Sequence, residues 1–318
     1  MSNKKLVHRS GYIEVSGQQV SLHGNATHSC PVCELYDVDE KIYTFGEFSI
    51  VRCRNCSHQY LDPVLSHESL NLIYNNNYYA DKTENHGYFD YTNSRKEILR
   101  TYQLRLKKIG KFLQFPSTLK IHEIGSALGF GAKAVSDLYP SFLYSCSDIS
   151  NDAKEAALSA KIDFFQCTEL GIPKNLSESL DIVYMFDVIE HLPKVKPLVK
   201  WLSEHVNDGG LVMLTTPDMN DWFNKVLGRR SPSVKIPQHI SYFTTQNLCK
   251  VFEENFELIL NTRDFQYVSY RLISDRVASI LDDLELSFIH KLLSPFFRVV
   301  AYFPVPNGMK LYLFRKKY

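Results

Sequence analysis

Between residues 117 and 217, short apolar runs alternate with helical segments, and this rhythm restricts the fold more than any other feature of the chain. Runs at 119–124, 142–147, 162–165, 180–186 and 211–215 read as strands. Segments at 132–138, 151–160 and 198–206 between them read as helices, with Ser150 placed to cap the second. The 180–186 run is nearly all apolar, as a strand covered on both faces must be. Repeated βα units at this spacing predict a doubly wound, mostly parallel sheet of the Rossmann-like class.

The first strand runs into Glu123-Ile124-Gly125-Ser126-Ala127-Leu128-Gly129-Phe130-Gly131, a glycine-rich turn that opens a helix. Such a turn lets the backbone approach a ligand and aims free N–H groups at it. Glu123 closes that strand, and Asp148 closes the next one, about 25 residues on. Acids at the ends of parallel strands suit a nucleotide or nucleoside ligand laid across them.

Upstream stand Cys30-Pro31-Val32-Cys33 and Cys53-Arg54-Asn55-Cys56, two C-x-x-C knuckles with a strand-like stretch between them. Four thiolates so spaced satisfy the tetrahedral preference of zinc, so Cys30, Cys33, Cys53 and Cys56 are expected to hold one structural ion. His58 follows closely, although four cysteines leave it no vacancy. The expected organisation is an N-terminal segment 1–27, a zinc-ribbon-like module 28–62, a Tyr-rich connector and amphipathic helix 63–116, and the sheet domain 117–318. In the connector's helix Leu99, Tyr102, Leu106, Ile109 and Leu113 recur at steps of three and four. Beyond Pro217 come a partly basic stretch to 237, His239-Ile240-Ser241-Tyr242-Phe243, a helix at 245–254, and a strand at 256–262. A helical insertion at about 274–300 and a closing strand at 309–314 complete the chain. The insertion suits a cap or a homodimer surface better than a membrane anchor.

Lys and Arg number 36 against 35 Asp and Glu, for a formal charge of +1. No global basic field exists, which argues against a nucleic-acid partner. No apolar run is long enough for a transmembrane helix. The N-terminal residues lack the apolar core of a signal peptide, so the cytoplasm is the expected location and the seven cysteines are expected to stay reduced or bind metal.

Four linked motifs carry a resemblance. They are Glu123–Gly129 after the first strand and Ser147-Asp148-Ile149-Ser150 after the second. The third is Ser179–Val183 leading to Phe186-Asp187-Val188-Ile189-Glu190-His191-Leu192-Pro193, and the fourth is Asp208-Gly209-Gly210-Leu211 ending in Thr215-Thr216-Pro217-Asp218. Together they resemble class I S-adenosylmethionine-dependent methyltransferases over about half the chain. The resemblance implies a seven-stranded sheet and S-adenosyl-L-methionine as cofactor. By the same resemblance, the cofactor's methionine part would lie beside Glu123, Gly125, Ala127 and Gly129, its ribose on Asp148, and its adenine against Ile149. Asp187 would also bind the cofactor, and its loop with Glu190 and His191 would face the transferred methyl, with His191 either a base or a scaffold for the loop, and His239 and Tyr242 as further site residues. The family usually has glycine where Ala127 stands, so the backbone there is expected to keep negative φ. It also often has an acid where Gln166-Cys167-Thr168-Glu169 follow the third strand. A cysteine-ligated zinc module ahead of such a domain looks like bacterial sugar C-methyltransferases of polysaccharide or natural-product pathways. The implied acceptor is a small molecule, sugar, nucleotide sugar or glycan, methylated on carbon or oxygen. An RNA methyltransferase gripping its substrate through the ribbon, and a non-catalytic cofactor-binding module, are the competing readings.

Overall fold

The computed structural model describes residues 6–8, 12–15, 18–21, 29–66, 69, 94–113, 118–269 and 302–318. Three strands form an N-terminal antiparallel meander, β1 (Leu6–His8), β2 (Tyr12–Val15) and β3 (Gln18–Ser21). The cysteine module contributes β4 (Val38–Phe45), β5 (Phe48–Cys53) and β6 (Gln59–Asp62). The rest follows as α1 (Arg95–Leu106), β7 (Lys120–Ile124), α2 (Phe130–Leu138), β8 (Leu143–Asp148), α3 (Asn151–Ser159), β9 (Asp163–Gln166), β10 (Leu180–Phe186), α4 (Lys196–His205), β11 (Val206–Pro217), α5 (Trp222–Leu227), β12 (Ser241–Tyr242), α6 (Thr245–Phe252), β13 (Phe256–Ser269) and β14 (Tyr302–Lys316).

Seven strands make the main sheet in the order β13-β14-β11-β10-β7-β8-β9. The β11, β10, β7, β8 and β9 neighbours pair in parallel, and β14 lies antiparallel between β11 and β13. The expected Rossmann-like architecture is therefore present. Alternation along the strands explains the two cores. Val183 and Met185 of β10, with Val212 and Leu214 of β11, meet Leu198 and Leu202 of α4 and Leu248 and Phe252 of α6. Ile182, Tyr184 and Phe186 point to the other face, where Ile98 and Tyr102 of α1 and Ala134 and Val135 of α2 cover them. The sheet is thus covered on both faces, which is why its central strand β10 is apolar apart from Asp181 and the hydroxyl of Tyr184.

Two boundaries differ from the sequence expectation. Residues 207–210 were expected as a turn ahead of a strand at 211, yet β11 starts at Val206 and carries Gly209 at φ +75°. The pairing with β10 slips between Leu180 and Ile182 to absorb the irregularity. The sixth strand runs to Ser269 rather than 262, because β14 supplies a partner along its whole length. The Tyr-rich connector at 70–93 and the helical insertion at 274–300 lie outside the described residues.

The cysteine module does not stand apart. Its sheet runs β12-β6-β5-β4, so the fourth strand comes from the segment after Gln238. Ser241 pairs with Tyr60 and Tyr242 with Gln59. Cys30, Val32, Cys53 and Tyr60 belong to the same buried cluster as α4 and α6.

Candidate active site

The cofactor candidates and the Asp187–His191 loop sit at the C-terminal ends of the parallel strands, where loops leave the sheet, and His239 comes from the segment ahead of β12. The first loop follows β7. Gly125 and Gly129 have φ of +82° and +81°, and Ala127 between them has +45°. The expectation of negative φ at Ala127 is therefore corrected. The left-handed backbone costs an alanine roughly 1–2 kcal/mol. An anchor offsets it, because the Ala127 N–H donates to Asp148 Oδ2 at 2.9 Å. Asp148 Oδ1 accepts from the Ser150 N–H at 2.8 Å, so one buried carboxylate ties the ends of β7 and β8 together. Gly125 N–H and Ser126 N–H both donate to Ser147 O, at 2.8 and 3.1 Å.

Glu123 lies behind this turn, 1 % exposed, with its carboxylate packed beneath Gly131. Tyr144 donates a hydrogen bond to its Oε2. Burial pushes its pKa up from the ordinary 4.5 to about 7, an effect that the hydroxyls of Tyr144, Tyr184 and Tyr102 partly offset.

The second loop follows β10. Asp187 has φ +59°, and its Oδ1 accepts from Thr215 Oγ1 at 2.6 Å. Behind it lies Arg105 of α1, 1 % exposed, whose guanidinium holds Asp264 at 2.7 Å and reaches to 3.6 Å from Asp187. A methyl group at Gly125 would collide with Val188, so the glycine turn and this loop are in direct packing contact.

Glu190 follows, fully buried. Its Oε2 accepts from Thr216 Oγ1 at 3.1 Å, while Oε1 has no hydrogen-bond partner among the described residues. Burial raises its pKa to about 8, with the charge of Asp187 adding to the effect. His191 donates from Nδ1 to Gln238 O at 3.0 Å, and His239 donates from Nδ1 to Ser233 O at 2.8 Å. Carbonyls only accept, so both neutral rings keep their lone pair on Nε2. The rings meet edge to face with centroids 4.7 Å apart. One ligand-capable atom from each of Glu190, His191 and His239 lies within 4.8 Å of the others.

Residues 95–260 match the family model described as "Methyltransferase domain", which is just over half of the chain. The chain belongs to this methyltransferase family. It is an S-adenosylmethionine-dependent enzyme of the class I fold. No curated protein matches the methyltransferase. Among solved structures it is similar to the YcgJ protein from Bacillus subtilis, at 15 % identity over 69 % of this chain and 98 % of that one, with a TM-score of 0.43. It is also similar to the plantazolicin methyltransferase BpumL in complex with SAH, at 12 % identity over 71 % and 86 %, with a TM-score of 0.45. Coclaurine N-methyltransferase bound to N-methylheliamine and SAH is similar at 14 % identity over 69 % and 72 %, with a TM-score of 0.41.

The residues fit the cofactor that this methyltransferase family uses. A Cβ built on Gly129 would meet nothing within 4 Å among the described residues. Ile149, beside Asp148, is an exposed apolar side chain. A cleft of about 340 Å³ runs from Leu128 and Gly129 to Arg95, Lys96 and Lys133, whose cations suit a carboxylate. A carboxylate has about four acceptor sites, so the kind of group at Asp148 suits a pair of hydroxyls. Where the family often carries an acid, Gln166 instead donates to Ile149 O at 2.7 Å.

The four cysteines fit a zinc ion equally well. Cys30 and Cys56 sulfurs are 3.5 Å apart, as are those of Cys33 and Cys53, and all four lie within 4.8 Å. These distances are too long for a disulfide and close to the roughly 3.7 Å edge of a zinc–thiolate tetrahedron. Backbone N–H groups of Val32 and Cys33 face the Cys30 sulfur, and those of Asn55 and Cys56 face the Cys53 sulfur. His58 is outside the cluster, packed on Phe243 at 4.8 Å between ring centroids.

Sequence reasoning missed how this module reaches the site. Leu61 N–H donates to Ile240 O, and Ile240 N–H donates to Glu190 O, each at 2.8 Å. It also missed Arg105 and Asp264, which are 159 positions apart in the chain. An arginine inside the apolar stripe of α1 was the available signal, and nothing near it in sequence names its partner.

Proposed function

We propose that this methyltransferase transfers a methyl group from S-adenosylmethionine to a small hydroxylated acceptor, with a sugar, nucleotide sugar or glycan as the substrate class. The observation that carries this reading is the packing of the glycine turn against the Asp187–His191 loop through Gly125 and Val188. That contact brings the glycine turn beside the loop that carries Asp187, Glu190 and His191.

Gly125, Ala127, Gly129, Asp148 and Ile149 would hold the cofactor, with Glu123 supporting the turn from behind. When bound, the cofactor supplies an electrophilic methyl on a sulfonium. The protein's own task is then alignment, since an in-line displacement requires the nucleophile held behind that carbon. Asp187, Glu190, His191 and His239 hold the acceptor where its hydroxyl loses its proton. Polar acceptors suit a site where carboxylate and imidazole groups converge in a buried setting. The near-balanced charge of the chain favours such an acceptor over RNA.

Cys30, Cys33, Cys53 and Cys56 would hold a structural zinc ion. A closed four-thiolate site has no open position for chemistry. Its contribution is to fix β6, which pairs with β12 and so holds Ile240 and Glu190 in place.

The test is incubation with methyl-labelled cofactor and separate pools of nucleotide sugars, glycans, small phenols and RNA. Label in the sugar or glycan pools is expected. Label only in RNA would overturn the reading in favour of the nucleic-acid alternative.

A further inference from the structure

We infer that Glu190, His191 and His239 form a second metal site, which takes a divalent first-row cation through one carboxylate oxygen and two imidazole nitrogens and leaves coordination positions open to an acceptor hydroxyl. Its role in the reaction rests on the methyl-transfer reading above, whereas the binding of the cation does not.

The first argument is the outer shell. Metal-ligating histidines nearly always donate their other ring N–H to a carbonyl or carboxylate, which fixes the tautomer and aims the lone pair. Both histidines here do this from Nδ1, to Gln238 O and Ser233 O. Glu190 is held in the same way, with Thr216 Oγ1 donating to Oε2. All three groups are thus oriented by partners on the side away from the cluster.

The second argument is the unsatisfied atom. Glu190 Oε1 is buried and lacks a hydrogen-bond partner among the described residues. Leaving such an atom unpaired is costly, and more so when the group is charged. A cation beside it removes that cost. The ligand atoms already lie within 4.8 Å of one another, and bonds of about 2.0–2.2 Å would draw them together by small ring and carboxylate rotations.

The third argument is donor chemistry. Two imidazoles and a carboxylate suit zinc, iron or manganese, and differ from the soft thiolate set of the cysteine module. One chain would therefore carry two metals with separable preferences. A bound hydroxyl loses its proton more readily on a cation. The proton passes to solvent, and the oxygen lone pair forms the new bond to the methyl carbon. The electron pair of the breaking carbon–sulfur bond stays on sulfur, so atoms and charge balance without an oxidant or reductant.

The experiment measures metal content and binding on the full chain. After loading with zinc and desalting, the wild type is expected to hold two ions per chain, against one for Glu190→Gln and for His239→Asn. Calorimetric titration of Mn2+ into protein holding zinc only at the cysteines is expected to show one site, weakened at least tenfold by Glu190→Gln. Circular dichroism and melting confirm that each variant is folded; if Glu190→Gln does not fold, His239→Asn carries the comparison. One ion per chain with no Mn2+ binding, or binding unchanged in both variants, would overturn the inference. Cation binding without methyl transfer to any hydroxylated acceptor would support the site and defeat the substrate reading instead.

Discussion

Replacing Glu123 by glutamine should raise stability at pH 8 and leave it nearly unchanged at pH 5. Glu123 is 1 % exposed beneath the glycine turn. Its folded pKa of about 7 stands above the ordinary 4.5 because burial penalises the charge, and Asp148 adds a like charge nearby. A carboxyl whose pKa is raised in the fold keeps its proton longer than the unfolded chain does. Stability therefore falls as pH rises from about 4.5 to about 7, and the loss is complete above that. The shift amounts to about 3 kcal/mol, at about 1.4 kcal/mol per pKa unit. Glutamine fills the same space, still accepts from Tyr144, and has no charge to penalise. Thermal melts of the cofactor-free protein at pH 5 and pH 8 provide the assay. At roughly 2–4 °C per kcal/mol for a domain near this size, the variant should melt roughly 6–12 °C above wild type at pH 8. A variant that melts no higher than wild type at pH 8, or shows the same difference at both pH values, would refute the reasoning.

Arg105→Met should cost about 3–5 kcal/mol, because it strands the buried Asp264 carboxylate, and adding Asp264→Leu should recover most of that loss. Chemical denaturation of the two single variants and the double checks this; an additive double would show that the pair is not coupled. Ala127→Gly should be neutral or stabilising by up to about 1 kcal/mol, since glycine accepts φ +45° without strain; a loss above 1 kcal/mol on denaturation would contradict the backbone assignment. Removing metal from the cysteines with a chelator, or by Cys33→Ser, should lower both the melting temperature and methyl transfer, through the β6–β12 pairing. Full transfer activity after complete metal loss from that module would end this account of its role.

Much of the architecture was legible because strands covered on both faces must be apolar throughout, as in the 180–186 run, and because each βα turn announces itself with glycine or an acid. That the sheet would be mostly parallel and seven-stranded followed from that alternation together with the motif resemblance. What was illegible depended on distant partners. Ala127 looked incompatible with positive φ until Asp148, 21 residues on, was seen to hold its N–H. The extra strand β12 is two residues long and exists only because β6 lies beside it. Glu190 and His191 were visible as neighbours. The resemblance named His239 as a further site residue, but the bond that ties its segment to theirs, from the Ile240 N–H to Glu190 O, is one that no local pattern encodes.

The turn from Gly125 to Gly129, anchored on Asp148, is the centre of this account, and cofactor binding tests it most directly. Calorimetric titration of S-adenosylmethionine into the wild-type protein and into Asp148→Ala should show one site per chain. The variant should bind more weakly by about 1–3 kcal/mol or more, since it loses a carboxylate and the turn's anchor together. No binding to the wild type, or equal affinity in a folded Asp148→Ala, would contradict it.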